Sequence, residues 1–306
     1  MQYRGMKDLL DFFTSRERLF NFFDNRHLLD WMPDEKYLKM AFRAKMGYPL
    51  NLENPKTFNE KLQWLKLHDR KPLYTTLVDK YAVRQYIADK IGEEYLIPLV
   101  GGPWNSADEI DFDSLPEQFV LKCNHDSGSV VICRDKSKFD IEAVKRKLNN
   151  NLKTNYYKSG REWPYKDVKP CIVAEEYLEE TGISETITDY KFFCFDGNPR
   201  MMYLSSDGAA EPRTDFFDME FNHIPIRMRD ENSEVKPKKP EAFETMKSLA
   251  KTLSENIAHV RVDFYVVNKK IYFGEMTFYH NGGFVHVNPP KWDETIGSWI
   301  ELPTKE

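Results

Sequence analysis

Near residue 117 the sequence changes texture, and the change restricts the folds open to it. Downstream, strand-like apolar runs occur at 119–123, 130–133, 171–175, 190–195, 200–204, 260–267 and 271–276. Turn sequences such as Asp196-Gly197-Asn198-Pro199 and Asn268-Lys269-Lys270 join neighbours among them. A parallel pair needs a crossover of roughly a dozen residues, so connections this short make antiparallel hairpins. Helical patterns at about 140–152 and about 240–256 are interspersed. The expectation is an α+β chain: mainly antiparallel sheets with helices on one side.

Upstream the pattern is helical. Leu9, Phe12 and Phe13 form one apolar patch and Leu19, Phe20, Phe22 and Phe23 another. Pro33-Asp34-Glu35 opens a further helix with acids in its first turn, where the helix dipole favours them. The flanking charges are mixed rather than basic, so these aromatics are expected to pack against the main body instead of a membrane surface. Thr57 with Glu60 three residues on is a capping box. The helix in "LVDKYAVRQYIADKIG" is closed by Gly92 and leads through Ile97-Pro98 into an extended segment.

At 306 residues the chain suits two or three packed subdomains, and 41% hydrophobic residues supply their cores. A net charge of −5 argues against a nucleic-acid binder held by phosphate contacts. Cys123, Cys133, Cys171 and Cys194 lie scattered in mostly apolar runs without a CxxC pair, and read as buried free thiols. No apolar stretch approaches a membrane span and the N-terminus lacks a signal-peptide core, so a cytoplasmic location is expected.

Four stretches carry chemistry. In "QFVLKCNHDSGSVVICRD" Lys122 ends a strand and a small polar loop follows, Ser127-Gly128-Ser129 included. The P-loop pattern is absent and the loop leads into a strand, so a helix dipole plays no part. Backbone N–H groups of Asp126 to Ser129 can instead form a nest over phosphate oxygens, with Lys122 as a point charge. Taken alone, an exposed polar hairpin explains this loop better. "CIVAEEYLEE" runs a strand straight into Glu175-Glu176-Tyr177-Leu178, leaving backbone groups free for an adenine edge and acids for ribose hydroxyls; a solvated acidic turn is the alternative. In "TDYKFFCFDG" Asp189 and Lys191 share a face, and a charge among aromatics needs an anionic partner. In "VRVDFYVVNKKIYFGEMTFYHNGGF" Arg261 and Asp263 alternate onto one face, and Glu275 and Thr277 return on the next strand. Such carboxylates suit a hard divalent cation bound to triphosphate. A cross-strand Arg261–Glu275 salt bridge is the alternative.

Together, and in this order, these residues resemble the ATP-grasp superfamily. "VRVDFY" looks like the Arg-x-Asp strand of D-alanine–D-alanine ligases, and "DKYAVRQYI" resembles the Asp-Lys helix preceding the grasp domain. More narrowly, "NPKTFNEKLQWLKL", "LKCNHDSGS", "DYKFFCFDG" and "GEMTFYHNGGF" resemble the TupA-like, teichuronopeptide-biosynthesis branch, over about residues 35–300. The resemblance implies two α+β subdomains closing on ATP: a helical N-terminal region over 1–75, a pre-grasp segment over 76–117, a lid subdomain over 118–180, and a C-terminal subdomain with the metal site over 181–306.

It further implies an ADP-forming carboxylate–amine ligase working through an acylphosphate on a cell-envelope polysaccharide, a uronic acid or its precursor. The partners would be a small-molecule or saccharide carboxylate and an amine, with peripheral association with envelope-synthesis machinery compatible with this. By resemblance, Lys80, Lys122 and Lys191 bind phosphates, with Ser127, Gly128 and Ser129 as the lid. Glu175, Glu176, Tyr177 and Leu178 form the adenine hinge, and Glu180 holds ribose. Arg261 stabilises the transferring phosphoryl group. Asp263 and Glu275 hold Mg²⁺. Many members carry Glu-x-Asn at the metal strand, and here Thr277 stands third, so the remaining ligand is Asn281, Thr277 or water. Arg213, His280 and His286 are acceptor-side candidates, which packing or surface roles explain equally well. Two other outcomes stay open: a kinase on the same scaffold, and a glycosyltransferase, whose Asp-x-Asp would have to be the "DFD" at 111–113.

Overall fold

The computed structural model describes residues 15–179, 187–205 and 212–304. The Leu9, Phe12 and Phe13 patch lies outside them, as does Glu180. In chain order the elements are α1 (Arg16–Asp24), α2 (Asp34–Met46), α3 (Phe58–His68), α4 (Leu73–Val78), α5 (Val83–Ile91), β1 (Leu99–Trp104), β2 (Phe119–Cys123) and β3 (Val131–Cys133). There follow α6 (Ile141–Asn151), β4 (Ile172–Glu176), β5 (Asp189–Phe195), β6 (Asn198–Ser205), β7 (Thr214–Asp218), β8 (His223–Ile224), α7 (Phe243–Leu253), β9 (Val260–Val267), β10 (Lys270–Thr277) and α8 (Lys291–Ser298).

The described residues fall into two compact units that do not follow linear order. One gathers those within Met1–Arg70, Tyr157–Trp163 and Tyr279–Glu306; the other, those within Lys71–Tyr156 and Pro164–Phe278. In the first unit α3 starts at the capping box: the Thr57 hydroxyl accepts from the Glu60 N–H, and the Glu60 carboxylate accepts from the Thr57 N–H at 3.1 Å. Further along α3, buried Asn59 donates to the Val285 carbonyl at 2.9 Å and to Asp293 of α8 at 3.0 Å. Lys66, also buried, donates to the carbonyls of Gly160 and Gly282, both at 2.7 Å. One lysine side chain therefore ties α3 to two distant stretches of chain by their backbones. Burial pushes its ammonium down to about 7, against the pull of Glu162. Phe20 and Tyr37 meet edge to face in this unit's core, whereas Phe23 is exposed.

In the second unit the strands form two antiparallel sheets, ordered β1-β4-β2-β3 and β10-β9-β5-β6-β7-β8. Phe119, Leu121, Ile172 and Ala174 of the first sheet share a core with Leu148 of α6. The second sheet buries both faces of its central strand β5. On one face Phe192 and Cys194 meet α7: the Phe192 and Phe243 rings lie 6.0 Å apart, and Cys194 Sγ lies 3.8 Å from the Ala250 carbonyl. The opposite face carries charges.

Both hairpin turns form as the sequence indicates. Asp196 and Gly197, and likewise Asn268 and Lys269, all take positive φ, the two-residue geometry that matches strand twist. The runs expected to be strands are strands, and all four cysteines are free and buried. Two strands, β7 and β8, carry no clear sequence signal, because Asp215 and Asp218 break the apolar run. Asp215 is nonetheless buried, held by the Ser233 N–H at 3.2 Å, His223 at 3.1 Å and Lys236 at 3.3 Å.

Candidate functional site

A cavity of about 720 Å³ lies in the second unit, lined from both sheets and from the start of α5. That size suits a nucleotide-sized ligand. Val83, Leu96, Ile97, Val120, Ile132, Leu178 and Phe273 supply apolar walls, and Lys80, Arg84, Lys122 and Arg134 supply cations.

Alternation along β2 explains the position of Lys122. Phe119, Leu121 and Cys123 point into the core, which leaves Val120 and Lys122 facing the cavity. Lys122 Nζ lies 2.5 Å from Glu175 Oε2, across on β4. The loop beyond is fixed by its own polar groups. Asn124 exchanges backbone and side-chain hydrogen bonds with Cys171, Lys80 Nζ donates to the Asp126 carbonyl, and the Lys80 N–H donates to the Asn124 carbonyl at 3.1 Å. At its tip Ser127 and Gly128 are exposed and line the cavity. Gly128 has φ +109° with open space where a Cβ would stand, so backbone conformation, not crowding, calls for glycine there.

The charged face of the second sheet is a continuous row. Register sets Lys191 opposite Asp263, Asp263 opposite Glu275, and Arg261 opposite Thr277. Lys191 Nζ lies 3.2 Å from Asp263 and also pairs with Asp189. The Arg261 guanidinium donates twice to Asp263, at 2.7 and 2.6 Å, and once to Glu275 at 3.0 Å. Thr277 Oγ1 donates to Glu275 at 3.1 Å. A bulge makes the row possible. Strict alternation from Phe273 would turn Glu275 onto the apolar face, and the register shift at Gly274 turns it back. A Cβ on Gly274 would stand 3.1 Å from the Asp263 carbonyl oxygen, so a larger residue there would press β10 against β9 by a few tenths of an ångström.

Burial works against every charge in this row, and partners decide the outcome. Asp263 and Asp189 hold the Lys191 ammonium above its ordinary range despite burial, and Asp263 does the same for Arg261. Desolvation raises the Glu275 carboxyl, and Arg261, then Lys80 and Lys191, outweigh it and hold the group below its ordinary range. Burial, with Asp263 adding to it, pushes Asp189 up to about 7 although Lys191 pulls the other way.

Of the sequence candidates, Lys80, Lys122, Ser127, Gly128, Glu175, Glu176, Tyr177, Leu178 and Glu275 line this one cavity. Lys191, Arg261 and Asp263 are not among its lining residues and are joined to Glu275 through the row. The Arg261–Glu275 salt bridge weighed as an alternative is present within that row. Ser129 is buried, its hydroxyl donating to Asp126 at 2.5 Å and accepting from the Cys123 N–H at 2.9 Å, so it shapes the loop rather than lining the cavity. Arg213 forms an isolated backbone β-bridge with Glu231 beside β7 and is not part of the lining. His280, Asn281 and His286 belong to the other unit, where His280 is buried against the Asn281 amide and His286 is exposed. The "DFD" triplet is a turn in which Asp111 accepts from the Asp113 N–H. Sequence reasoning missed Arg84 and Arg134. The first stands one helical turn past Lys80, the signal that was available. The second follows β3 and donates to the Tyr177 hydroxyl at 3.0 Å, a contact nothing in the sequence announces.

The carboxylates fit a hard cation of the magnesium type, which takes one or two protein carboxylates and fills its other positions with water and phosphate. Asp263 and Glu275 are cross-strand neighbours, and Glu275 keeps 41% of its side chain exposed. No larger cluster of His, Cys, Asp and Glu with metal-binding geometry occurs among the described residues.

A lysine-bearing antiparallel sheet and a second sheet with an Arg-x-Asp strand beside an acid, both lining one cavity, define an ATP-grasp fold. The chain belongs to the TupA-like ATP-grasp family, whose family model matches residues 60–301. No curated protein matches it. Among solved structures it is similar to D-alanine–D-alanine ligase from Bacillus anthracis complexed with ATP, at 16% identity over 66% of this chain and 54% of that one, with a TM-score of 0.38. It is similar also to D-alanine–D-alanine ligase from Helicobacter pylori (12% identity, 80% and 69% covered, TM-score 0.42) and L-amino acid ligase from Bacillus licheniformis (14%, 84% and 58%, TM-score 0.46). The chain thus spans little more than half the length of the first of these.

Proposed function

We propose that this chain is an ATP-dependent carboxylate–amine ligase. A substrate carboxylate oxygen attacks the γ-phosphorus of ATP and ADP leaves. An amine then attacks the acylphosphate carbon, phosphate departs with the C–O electron pair, and an amide remains after the amine loses a proton. The carboxylate would belong to a uronic acid of a cell-envelope polysaccharide or its precursor, the amine to an amino acid, and the reaction to the cytoplasm. No described helix is long and apolar enough to cross a membrane.

Lys80, Lys122 and Lys191 bind phosphate oxygens, and Arg261 opposes charge that develops on the phosphoryl and tetrahedral oxygens. Ser127 and Gly128 close over the phosphates, with residues 118–180 acting as the lid. Backbone groups of Glu176 and Leu178 pair with adenine, flanked by Glu175 and Tyr177, and Glu180 takes the ribose. Asp263 and Glu275, with Thr277 or water, would hold Mg²⁺, which would supply charge neutralisation between phosphates. Arg213, His280 and His286 remain acceptor-side assignments. The observation that carries this reading is the convergence of Lys80, Lys122 and Glu275 on one cavity, with Glu275 wired to Arg261, Asp263 and Lys191.

The test is a screen of amino acids paired with uronic-acid sugars for stimulated ADP formation, with hydroxylamine added to trap the activated carboxylate. A hydroxamate formed only with ATP supports the ligase. A product phosphorylated on a hydroxyl, with no hydroxamate, overturns it.

A further inference from the structure

The cavity contains a cation to which the proposed chemistry gives no task. Glu175 is only 7% exposed, and its two oxygens face different cations. Oε2 meets Lys122 Nζ at 2.5 Å, while Oε1 faces Arg84 Nη1 at 3.9 Å, outside hydrogen-bond reach. All three residues line the same cavity, and both cations are mostly covered. Lys122 therefore has two claims on it: the carboxylate it holds now and the phosphate it would hold with nucleotide bound. A buried carboxylate that loses its only close cation is strongly destabilised. Glu175 also pairs with Val120 in the β2–β4 ladder and begins the hinge, so a displaced Glu175 would disturb the adenine wall.

We propose that Arg84 is the relief counter-ion of Glu175: as Lys122 turns to the nucleotide phosphate, the Arg84 guanidinium closes the gap and takes over the carboxylate. Arg84 is then a positioning residue for nucleotide binding, acting through Glu175 rather than by touching ATP. Guanidinium suits the task, since its planar fork engages a carboxylate through two parallel hydrogen bonds. Burial lowers the Arg84 pKa and Glu175 opposes that shift, as expected of a cation already committed to this acid. The inference rests on reading the cavity as an ATP site.

The experiment is calorimetric titration of the full chain with ATP and excess Mg²⁺, with melting curves recorded for every variant. Arg84→Met is expected to weaken ATP binding about tenfold to a hundredfold, and Arg84→Lys to recover part of that loss. Glu175→Gln releases Lys122 and removes the charge that needs a counter-ion, and its own affinity sets the reference for the next comparison. In that background Arg84→Met should cost nothing further, and the double variant keeps the comparison readable if Arg84→Met alone folds poorly. Wild-type affinity in Arg84→Met overturns the inference. So does an undiminished loss in the Glu175→Gln background, which would make Arg84 a direct nucleotide contact. Absence of ATP binding by the wild type sinks the ATP reading itself, and this inference with it.

Discussion

Replacing Lys191 by methionine tests the charged row most directly. The shape of the chain is kept and one buried charge goes. Asp263 keeps two hydrogen bonds from Arg261, at 2.7 and 2.6 Å, but Asp189 loses its ion-pair partner, and its Oδ1 has no hydrogen-bond partner among the described residues. Breaking a buried pair from one side costs about 3–5 kcal/mol, which for a unit of this size lowers Tm by about 6–20 °C. The cost depends on pH with a definite sign. Asp189 ionises at 3.8 when unfolded and at about 7 when folded, so the folded state holds the extra proton between these values. Stability therefore falls as pH rises through that window. Without Lys191 the folded pKa moves higher still, so the gap between variant and wild type opens above neutrality and narrows near pH 5. Guanidinium unfolding at about pH 5 and about pH 8 measures both gaps. Adding Asp189→Asn should remove the pH dependence of the gap. A gap equal at both pH values, or unchanged by Asp189→Asn, refutes the reasoning.

Other outcomes follow from the same geometry. Lys122→Ala and Arg261→Ala should each abolish ATP-dependent ADP release, read by a coupled assay; unimpaired turnover in either would discard the phosphate cage. Asp263→Asn should raise the Mg²⁺ concentration needed for activity, and an unchanged metal titration would move the cation site elsewhere. Gly274→Val should cost about 1–3 kcal/mol in urea unfolding, because its Cβ would crowd the Asp263 backbone, and it should weaken Mg·ATP binding as Glu275 shifts. Burial raises all four thiol pKa values, so the native chain should show no thiol reacting promptly with a disulfide reagent and four in denaturant.

Much of this protein follows from local rules. Thr57 and Glu60 cap α3, Asp196-Gly197 and Asn268-Lys269 turn their hairpins, and alternation sets Asp189 with Lys191 and Arg261 with Asp263. Each depends on residues within a few positions of one another, which is the range at which backbone sterics and side-chain periodicity act. Tertiary structure decided what depends on distant partners. Glu275 reaches the charged face only through the bulge at Gly274, which is set by pairing with Asp263 on β9. β7 is a strand despite Asp215, because Ser233, His223 and Lys236 arrive from elsewhere to satisfy a buried carboxylate. Arg84 faces Glu175 across many intervening residues. A sequence states which groups need a partner, and only the folded chain brings the partner within the few ångströms where electrostatics and hydrogen bonding choose it.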